Sequence, residues 1–158
     1  LGDALQPGSR RESQTIGRAT YELLFHLAAD MLASDVGLVF EGNFYRGLHE
    51  AKLAPLIDHS RATLIHCHAP MTVALERYEA RAWRGERHPV HFDFEVLGAI
   101  RAEGLEAWYR PFAQPLELSI PSLVVDTTLA FPTDVTTIVE FVLAAHPNAD
   151  DIGSRAGT

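Results

Sequence analysis

The sequence is poor in several features that would mark a protein class. It holds one cysteine, Cys67, in 158 residues, so a disulfide within the chain is impossible and a reducing compartment is expected. Its apolar runs are far shorter than the roughly 20 residues that span a bilayer. Its formal net charge is −8 at pH 7, which argues against broad nucleic-acid binding. These absences predict a cytoplasmic protein with neither a nucleic-acid nor a membrane partner.

What is present predicts one α/β domain over residues 1–147, followed by a flexible tail at 148–158. Short apolar runs at 36–40, 62–68 and 122–126 are typical of buried strands, and helical patterns lie between them. Such alternation favours a parallel sheet covered by helices on both faces. The run at 36–40 is interpreted as a strand buried on both faces that ends at Glu41.

The helices are predicted from end signals and apolar spacing. Ser9 and Glu12 fit a capping box that begins a helix reaching about Ser34. Its expected buried stripe comprises Ile16, Ala19, Leu23, Leu27 and Met31 and is widened by Leu24 and Ala28. Further helices are predicted over 45–59 with a break or kink at Pro55, from Pro70 to about Trp83, from a capping Asp93 to about Trp108, and from a capping Thr133 to before Pro147.

The strongest candidate cluster is basic. Arg77, Arg81, Arg84 and Arg87 follow one another at steps of four, three and three residues, which places at least the first two on one helical face. Guanidinium groups bind phosphate oxygens and offset charge during phosphoryl transfer. The alternative is a solvated helix face on which Glu76, Glu79 and Glu86 pair with these arginines.

Histidines form two further groups. His88, His91 and Asp93 could bind a metal ion through imidazole and carboxylate, although a polar loop that meets substrate is the preferred interpretation. His66 and His68 share one face of a predicted strand, with Cys67 on the other. We expect the two histidines to be packed and hydrogen-bonded, and Cys67 to be a small apolar filler.

Polar residues also follow two of the predicted strands. Glu41 ends the first, and Asn43 and Tyr45 lie just beyond it, where they could meet an acceptor substrate. Asn43 could equally be a turn residue. Asp126 ends the last strand and precedes Thr127 and Thr128. It could line a nucleotide cleft or cap the turn.

Three passages together resemble the P-loop kinase-like ATPases of the AAA-family type. This group includes zeta-toxin-like and chloramphenicol-phosphotransferase-like small-molecule kinases. The passages are VGLVFEGNF, similar to the family's Walker B-like strand; TLIHCHAPMTVALERYEARAWRGERHP, similar to its strand, helix and arginine-bearing lid; and PLELSIPSLVVDTT, similar to its final strand and turn. The resemblance covers about residues 13–145. It implies a three-layer P-loop NTPase-like parallel sheet with helices on both faces.

The resemblance also implies a function and its residues. The complete protein would be a phosphotransferase that binds ATP and Mg²⁺ and acts on a small-molecule acceptor. Glu41 would bind Mg²⁺ directly or through water, and Arg77, Arg81 and Arg84 would be catalytic lid residues. Asp126 and Thr127 would face the nucleotide, and Asn43, Tyr45 and His88 the acceptor.

One departure from the family pattern is large. The phosphate-binding motif G-x-x-x-x-G-K-[ST] does not occur in the sequence, which begins on Leu1. We therefore expect this chain to lack the N-terminal strands and the Walker A loop, a portion of about 40 residues judged from one βαβ unit, and to be inactive alone. Two alternatives stay open: a non-catalytic, degenerate α/β binding module, and a metal-dependent hydrolase built on His88, His91 and Asp93.

Overall fold

The computed structural model describes residues 2–129 and 135–147. The elements run, in chain order, α1 (Gly2–Leu5), α2 (Arg10–Ala33), α3 (Glu50–Asp58), β1 (Leu64–His68), α4 (Met71–Arg84), α5 (Asp93–Glu103), α6 (Leu105–Tyr109), β2 (Ser122–Asp126) and α7 (Val135–Ala145). Single 3-10 turns lie at Pro89–His91 and Arg110–Phe112. The predicted tail at 148–158 and the predicted cap Thr133 lie outside the described residues.

The two strands are parallel neighbours. Leu64 lies opposite Ser122 and His68 opposite Asp126, so the two strands end together at one edge. The crossover between them contains α4, α5 and α6, as a parallel pair requires a long connection. The prediction of an α/β fold with a parallel sheet is confirmed for these two strands.

The prediction of a strand at 36–40 is wrong for the described structure. This segment is not paired in the sheet, which has the order β1–β2 among the described residues. Val36 is 42 % exposed and Val39 is 97 % exposed, whereas Phe40 packs against a core cluster. A strand buried on both faces needs neighbours on both edges, and no described segment pairs with this one.

The long helix α2 begins as predicted but buries a different face. Ser9 is its N-cap, and its side chain accepts a hydrogen bond from the Glu12 amide at 3.3 Å. The buried residues of the helix are Phe25 and Ala28, whereas Leu23, Leu27 and Met31 of the predicted stripe are 42–51 % exposed. The prediction is therefore wrong for Leu23, Leu27 and Met31 and confirmed for Ala28, because the core partners lie on the side of Phe25.

Two of the other predicted helices depart from the prediction, those at 45–59 and 93–108. Residues 45–49 form a turn before α3, which contains Pro55 without ending there. The helix predicted from Asp93 to about Trp108 is divided at Gly104, whose φ of +96° a residue with a Cβ rarely adopts. Asp93 is not the cap of α5, because Phe92 occupies that position and the Asp93 carboxylate has other partners.

Two clusters of side chains form the core. The first, which we call the aromatic cluster, has Phe25, Leu53 and Leu116 at its centre. Tyr21, Phe40, Phe44 and Leu64 are among the side chains packed against it. The second, the helical cluster, has Ala82, Leu97 and Ile100 at its centre and draws Tyr78 and Trp108 against it. The helical cluster is built from α4, α5 and α6, which are consecutive in the chain.

Apolar surface is exposed on a large scale. Large apolar side chains that are at least one-third exposed include Leu23, Leu27, Val39, Val124, Val139 and Leu143. The exposed set thus includes residues of α2, the 36–40 segment, β2 and α7, together with Trp83 of α4 and Phe94 of α5. None of the helices in the described part of the chain combines the length and the apolar character needed to cross a membrane.

Candidate functional site

The paired strands end at a small group of polar residues. Thr127 extends the pairing past the last ladder position, because its amide and its hydroxyl both donate to the His68 carbonyl, at 2.7 and 2.8 Å. Ligands of open α/β sheets bind outside the carboxyl ends of the strands. This edge is therefore the first place to look for a site.

Asp126 caps the turn that follows β2. Its Oδ1 accepts from the Thr128 amide at 2.8 Å and from the Thr128 hydroxyl at 2.5 Å. The hydrogen bonds from Thr128 hold the pKa of Asp126 below its usual range, with smaller contributions from His68 and Arg77. The side chain is an ionised carboxylate at neutral pH. Of the two roles expected for Asp126, the described structure has the capping role.

Arg77 joins helix α4 to the same turn. Its Nη2 donates to the carbonyl oxygens of Thr127 and Thr128, at 2.5 and 2.9 Å. Three predicted site residues, Arg77, Asp126 and Thr127, are thereby brought together. The guanidinium fixes the main chain of the turn, so Arg77 acts here as a positioning residue.

Tyr109 is a neighbour of this edge that the sequence analysis missed. Its hydroxyl donates to the Ala69 carbonyl and lies 3.4 Å from His68 Nδ1. Burial raises the pKa of Tyr109, so it stays protonated and can donate at neutral pH. It is 41 residues from His68, and no spacing rule links residues so far apart.

The side chains of β1 differ from expectation on both faces of the strand. His66 and His68 lie on the same face, as predicted, with ring centroids 6.2 Å apart. Burial lowers the pKa of His66, and His68 lowers it further. His66 Nε2 is buried without a hydrogen-bond partner in the described residues, against the prediction of a satisfied histidine. Cys67 is exposed, so its predicted role as a packed filler is wrong.

Arg81 and Arg84 lie one and two turns beyond Arg77. Arg84 Nε forms an exposed ion pair with Glu86 at 2.7 Å, which matches the alternative of a solvated face for this residue. Arg81 is exposed and has no partner within residues 2–129 and 135–147. Arg81 is therefore the member of the predicted basic cluster that is free to bind an anion.

The fourth arginine is bound elsewhere. Arg87 Nη1 donates to Asp93 Oδ1 at 2.8 Å, and its Nη2 donates to His91 Nδ1 at 3.1 Å. Its guanidinium carbon also lies 5.3 Å from the centre of the Tyr78 ring. The hydroxyl of Tyr78 donates to the same Asp93 oxygen at 2.8 Å. Burial, followed by this hydrogen bond, raises the pKa of Tyr78 to about 12.

These contacts do not suit a metal ion. The carboxylate of Asp93 and Nδ1 of His91 both receive hydrogen bonds from a cation, and His88 Nδ1 accepts from the Val90 amide at 3.2 Å. No group of three or more His, Cys, Asp or Glu side chains in the described residues could hold a metal ion. The metal-hydrolase alternative thus finds no donor set there.

Two of the three predicted acceptor residues, Asn43 and Tyr45, lie in the loop that leads to α3, whereas His88 lies between α4 and α5. Asn43 accepts from the Tyr21 hydroxyl through its carbonyl at 3.2 Å, and the Tyr45 amide donates to His49 Nδ1 at 2.7 Å. His49 is 8 % exposed, stacks on Tyr21 and has its pKa lowered by burial. The loop is thus held by α2 and the aromatic cluster. Which of its two predicted roles Asn43 has stays a prediction.

Glu41 is not assembled with other carboxylates. Its side chain is exposed and makes no hydrogen bond or ion pair in the described part of the chain. A Mg²⁺ site drawn from the described residues would have Glu41 and Asp126 as its candidate oxygen ligands, and no contact joins the two. These residues do not by themselves form a fitted magnesium site.

Comparison with solved structures finds a relative. The fold matches the crystal structure, at 1.70 Å resolution, of a putative kinase from Chloroflexus aurantiacus J-10-fl, with a TM-score of 0.71. The two sequences are 31 % identical, and the match covers 91 % of this chain and 77 % of the Chloroflexus chain. This chain belongs to the family of that protein. It therefore has a kinase-like fold.

Two further comparisons add no assignment. No protein-family profile matches the chain, and no curated protein matches it. The family membership thus rests on the Chloroflexus protein, whose length exceeds the matched part by about a quarter of its own chain. The group formed by Arg77, Asp126, Thr127 and Tyr109 is this family member's candidate site.

Proposed function

We propose that this protein is a phosphotransferase that moves a phosphoryl group from ATP, bound with Mg²⁺, to a small-molecule acceptor. The observation that carries the proposal is the 31 % identity to a putative kinase over 91 % of the chain, with a TM-score of 0.71. The polar group at the carboxyl ends of β1 and β2 supports it, because parallel α/β sheets bind their ligands at that edge.

The arginines of α4 would have different roles in phosphoryl transfer. Phosphoryl transfer depends on positioning and on offsetting the charge of the phosphate oxygens. Arg81, exposed and unpaired in the described residues, would bind phosphate oxygens directly, and Arg84 would join it by leaving Glu86. Arg77 would keep the turn of Thr127 and Thr128 in place beside the nucleotide. When bound, ATP supplies the phosphoryl group and Mg²⁺ neutralises its oxygens.

The phosphate loop is proposed to lie outside this chain, since its motif is absent from the sequence. A strand that leads into that loop would pair at the free edge of β1, whose described partner is β2 alone. The exposed side chains of Val39, Leu23 and Leu27 support the idea that more polypeptide covers the 36–40 segment and the outer face of α2. Glu41 would then approach Mg²⁺ only in that larger assembly, which belongs to the proposed P-loop subgroup.

The proposal is tested by reading the coding sequence upstream of the Leu1 codon. The expected result is a strand pattern followed by G-x-x-x-x-G-K-[ST] within about 40 residues. The protein encoded with that segment should then transfer phosphate from ATP to a member of a small-molecule acceptor panel. Arg81→Gln should lower this activity by about tenfold or more, the loss expected for one charge-offsetting group. Arg18→Gln, on α2, is the matched control.

A second candidate is a non-catalytic binding module. The absence of the phosphate-loop motif from the sequence favours it. A start codon directly before Leu1 would contradict the kinase proposal and support the module. Saturable binding of small molecules without any ATP turnover would point the same way.

A further inference from the structure

The segment between α4 and α5 has hinge-like geometry at both ends. Gly85 has φ +64° and ψ +29°, and Phe92 has φ +50° and ψ +44°. A residue with a side chain adopts this left-handed region only where its surroundings enforce it. The backbone therefore changes direction at both ends of residues 85–92, and the conformation of Phe92 depends on contacts that hold the segment.

The first of these contacts is the group around Asp93. Its side chain is 11 % exposed and that of Arg87 is 29 % exposed, so their ion pair at 2.8 Å is largely withdrawn from water. The hydroxyl of Tyr78 donates to the same oxygen, and the Tyr78 ring lies under the guanidinium. A carboxylate this buried destabilises the folded state when its cation is removed, because its charge is then buried without compensation. The group thus favours one arrangement with all its members in contact.

A second contact joins the segment to helix α2. The Ser13 hydroxyl, on α2, donates to the Val90 carbonyl at 2.6 Å. The Ser13 bond attaches only the middle of the segment, and it is a neutral hydrogen bond at a half-buried position. The Arg87–Asp93 ion pair is charge-assisted and withdrawn from water, so it is a stronger attachment than the Ser13 bond.

We propose that Arg87 and Asp93 form a latch that holds residues 85–92 closed against Tyr78. When the pair separates, the segment turns about Gly85 and Phe92 and delivers the Arg87 guanidinium to solvent. The released arginine would be a further cation beyond Arg81 and Arg84 at the end of α4. The latch is formed in the chain without nucleotide. The proposal of a latch can therefore be tested separately from the proposed phosphotransfer.

Hydrogen exchange followed by mass spectrometry tests the latch on the chain itself. Asp93→Asn keeps the size and one hydrogen bond of the side chain but removes its charge. Amides of residues 86–92 should then exchange about tenfold faster. This is the factor expected when the free energy of local opening falls by the contribution of one charge-assisted hydrogen bond. Amides of α4 and α5 should keep their rates. Glu79→Gln is the matched control, because it removes the exposed 3.5 Å pair of Glu79 with Arg101 on the same helices.

Two outcomes would overturn the latch. Unchanged exchange at 86–92 in Asp93→Asn means that the ion pair does not hold the segment. An equal rise throughout α4 and α5 means that Asp93 only supports the fold. Arg87→Gln keeps the proposal testable if Asp93→Asn does not fold. It should raise exchange in the same residues, whereas Ser13→Ala should raise it by less and only around Val90.

Discussion

The two core clusters of this protein differ in how completely other parts of the described chain cover them. The helical cluster is formed by α4, α5 and α6, and Leu97 and Ile100 at its centre are 3 % and 5 % exposed. The aromatic cluster is formed by segments distant in sequence, and its central residues Phe25, Leu53 and Leu116 are 8–9 % exposed. Around it, α2 and the 36–40 segment expose apolar side chains to water.

The difference follows from the kind of element at each place. Consecutive helices find their partners within a few tens of residues, so one stretch of chain completes their packing. A parallel sheet needs strands from separate βαβ units on both edges of each inner strand. The described chain provides β1 and β2, and the 36–40 segment lies apolar and unpaired. The centre of the helical cluster is therefore closed by one stretch of chain, although Trp83 on α4 and Phe94 on α5 are 74 % and 56 % exposed.

The largest expected difference in unfolding free energy is between two leucine variants, one in the helical cluster and one on α2. Leu97→Ala removes a nearly fully buried side chain from the helical cluster and should lower the free energy of unfolding by about 3 kcal/mol. Leu23→Ala, at a 51 % exposed position on α2, should change it by less than about 0.5 kcal/mol. Urea unfolding of both variants checks this. Equal losses would mean that the outer face of α2 is packed after all.

A smaller effect is expected from acid on the aromatic cluster. Burial lowers the pKa of His49, so the unfolded chain binds a proton at a higher pH than the folded one does. Stability should fall as the pH drops below about 6.5, the ordinary value for histidine, and the loss ends below the lowered pKa. Protonation also removes the lone pair with which Nδ1 accepts from the Tyr45 amide.

The measurement is the urea midpoint at several pH values, for the wild type and for His49→Gln. The variant keeps an acceptor but does not titrate, so its midpoint should vary less between pH 7.5 and 5.5. Burial also lowers the pKa of His66 and of His91, so part of the slope remains. If the urea midpoint of His49→Gln changes with pH as much as that of the wild type, His49 does not cause the pH dependence.

The smallest effect concerns the most exposed apolar residue. Val39→Thr, at 97 % exposure, should leave the unfolding free energy of this chain within about 0.5 kcal/mol of the wild type. In a protein that contains the proposed additional strand, the same change should cost about 1 kcal/mol or more, because a hydroxyl would be buried. Thermal or urea unfolding of both forms measures the two values. Identical values in both forms would count against an added strand at this place.

Several elements could be predicted from the sequence because their signals are local. The Ser9 cap, helix α4 after Pro70, and the two strands with their parallel relation all follow from neighbouring residues. The break at Gly104 was missed because the apolar spacing continues across it, and only the backbone angle there ends the helix. The 36–40 segment has the composition of a strand, but a strand also requires partners, which no local pattern supplies.

The site was predicted in part for the same reason. Arg77, Asp126 and Thr127 were singled out individually, and the structure joins them through a turn that packs against α4. Tyr109 next to His68 depends on tertiary contact alone and gave no signal. Asp93 was assigned to a helix cap because of its position in the sequence. Its buried environment, with Tyr78 and Arg87, instead favours the ion pair.

The measurement that tests the account most directly is the binding of ATP to this 158-residue chain, with and without Mg²⁺, by equilibrium dialysis. The phosphate loop is proposed to lie outside the chain, and the described residues form no assembled magnesium site. We therefore predict no saturable binding up to about 1 mM, an affinity worth no more than about 4 kcal/mol. Saturable, Mg²⁺-dependent binding in the micromolar range would contradict this prediction and would require a complete phosphate site within this chain.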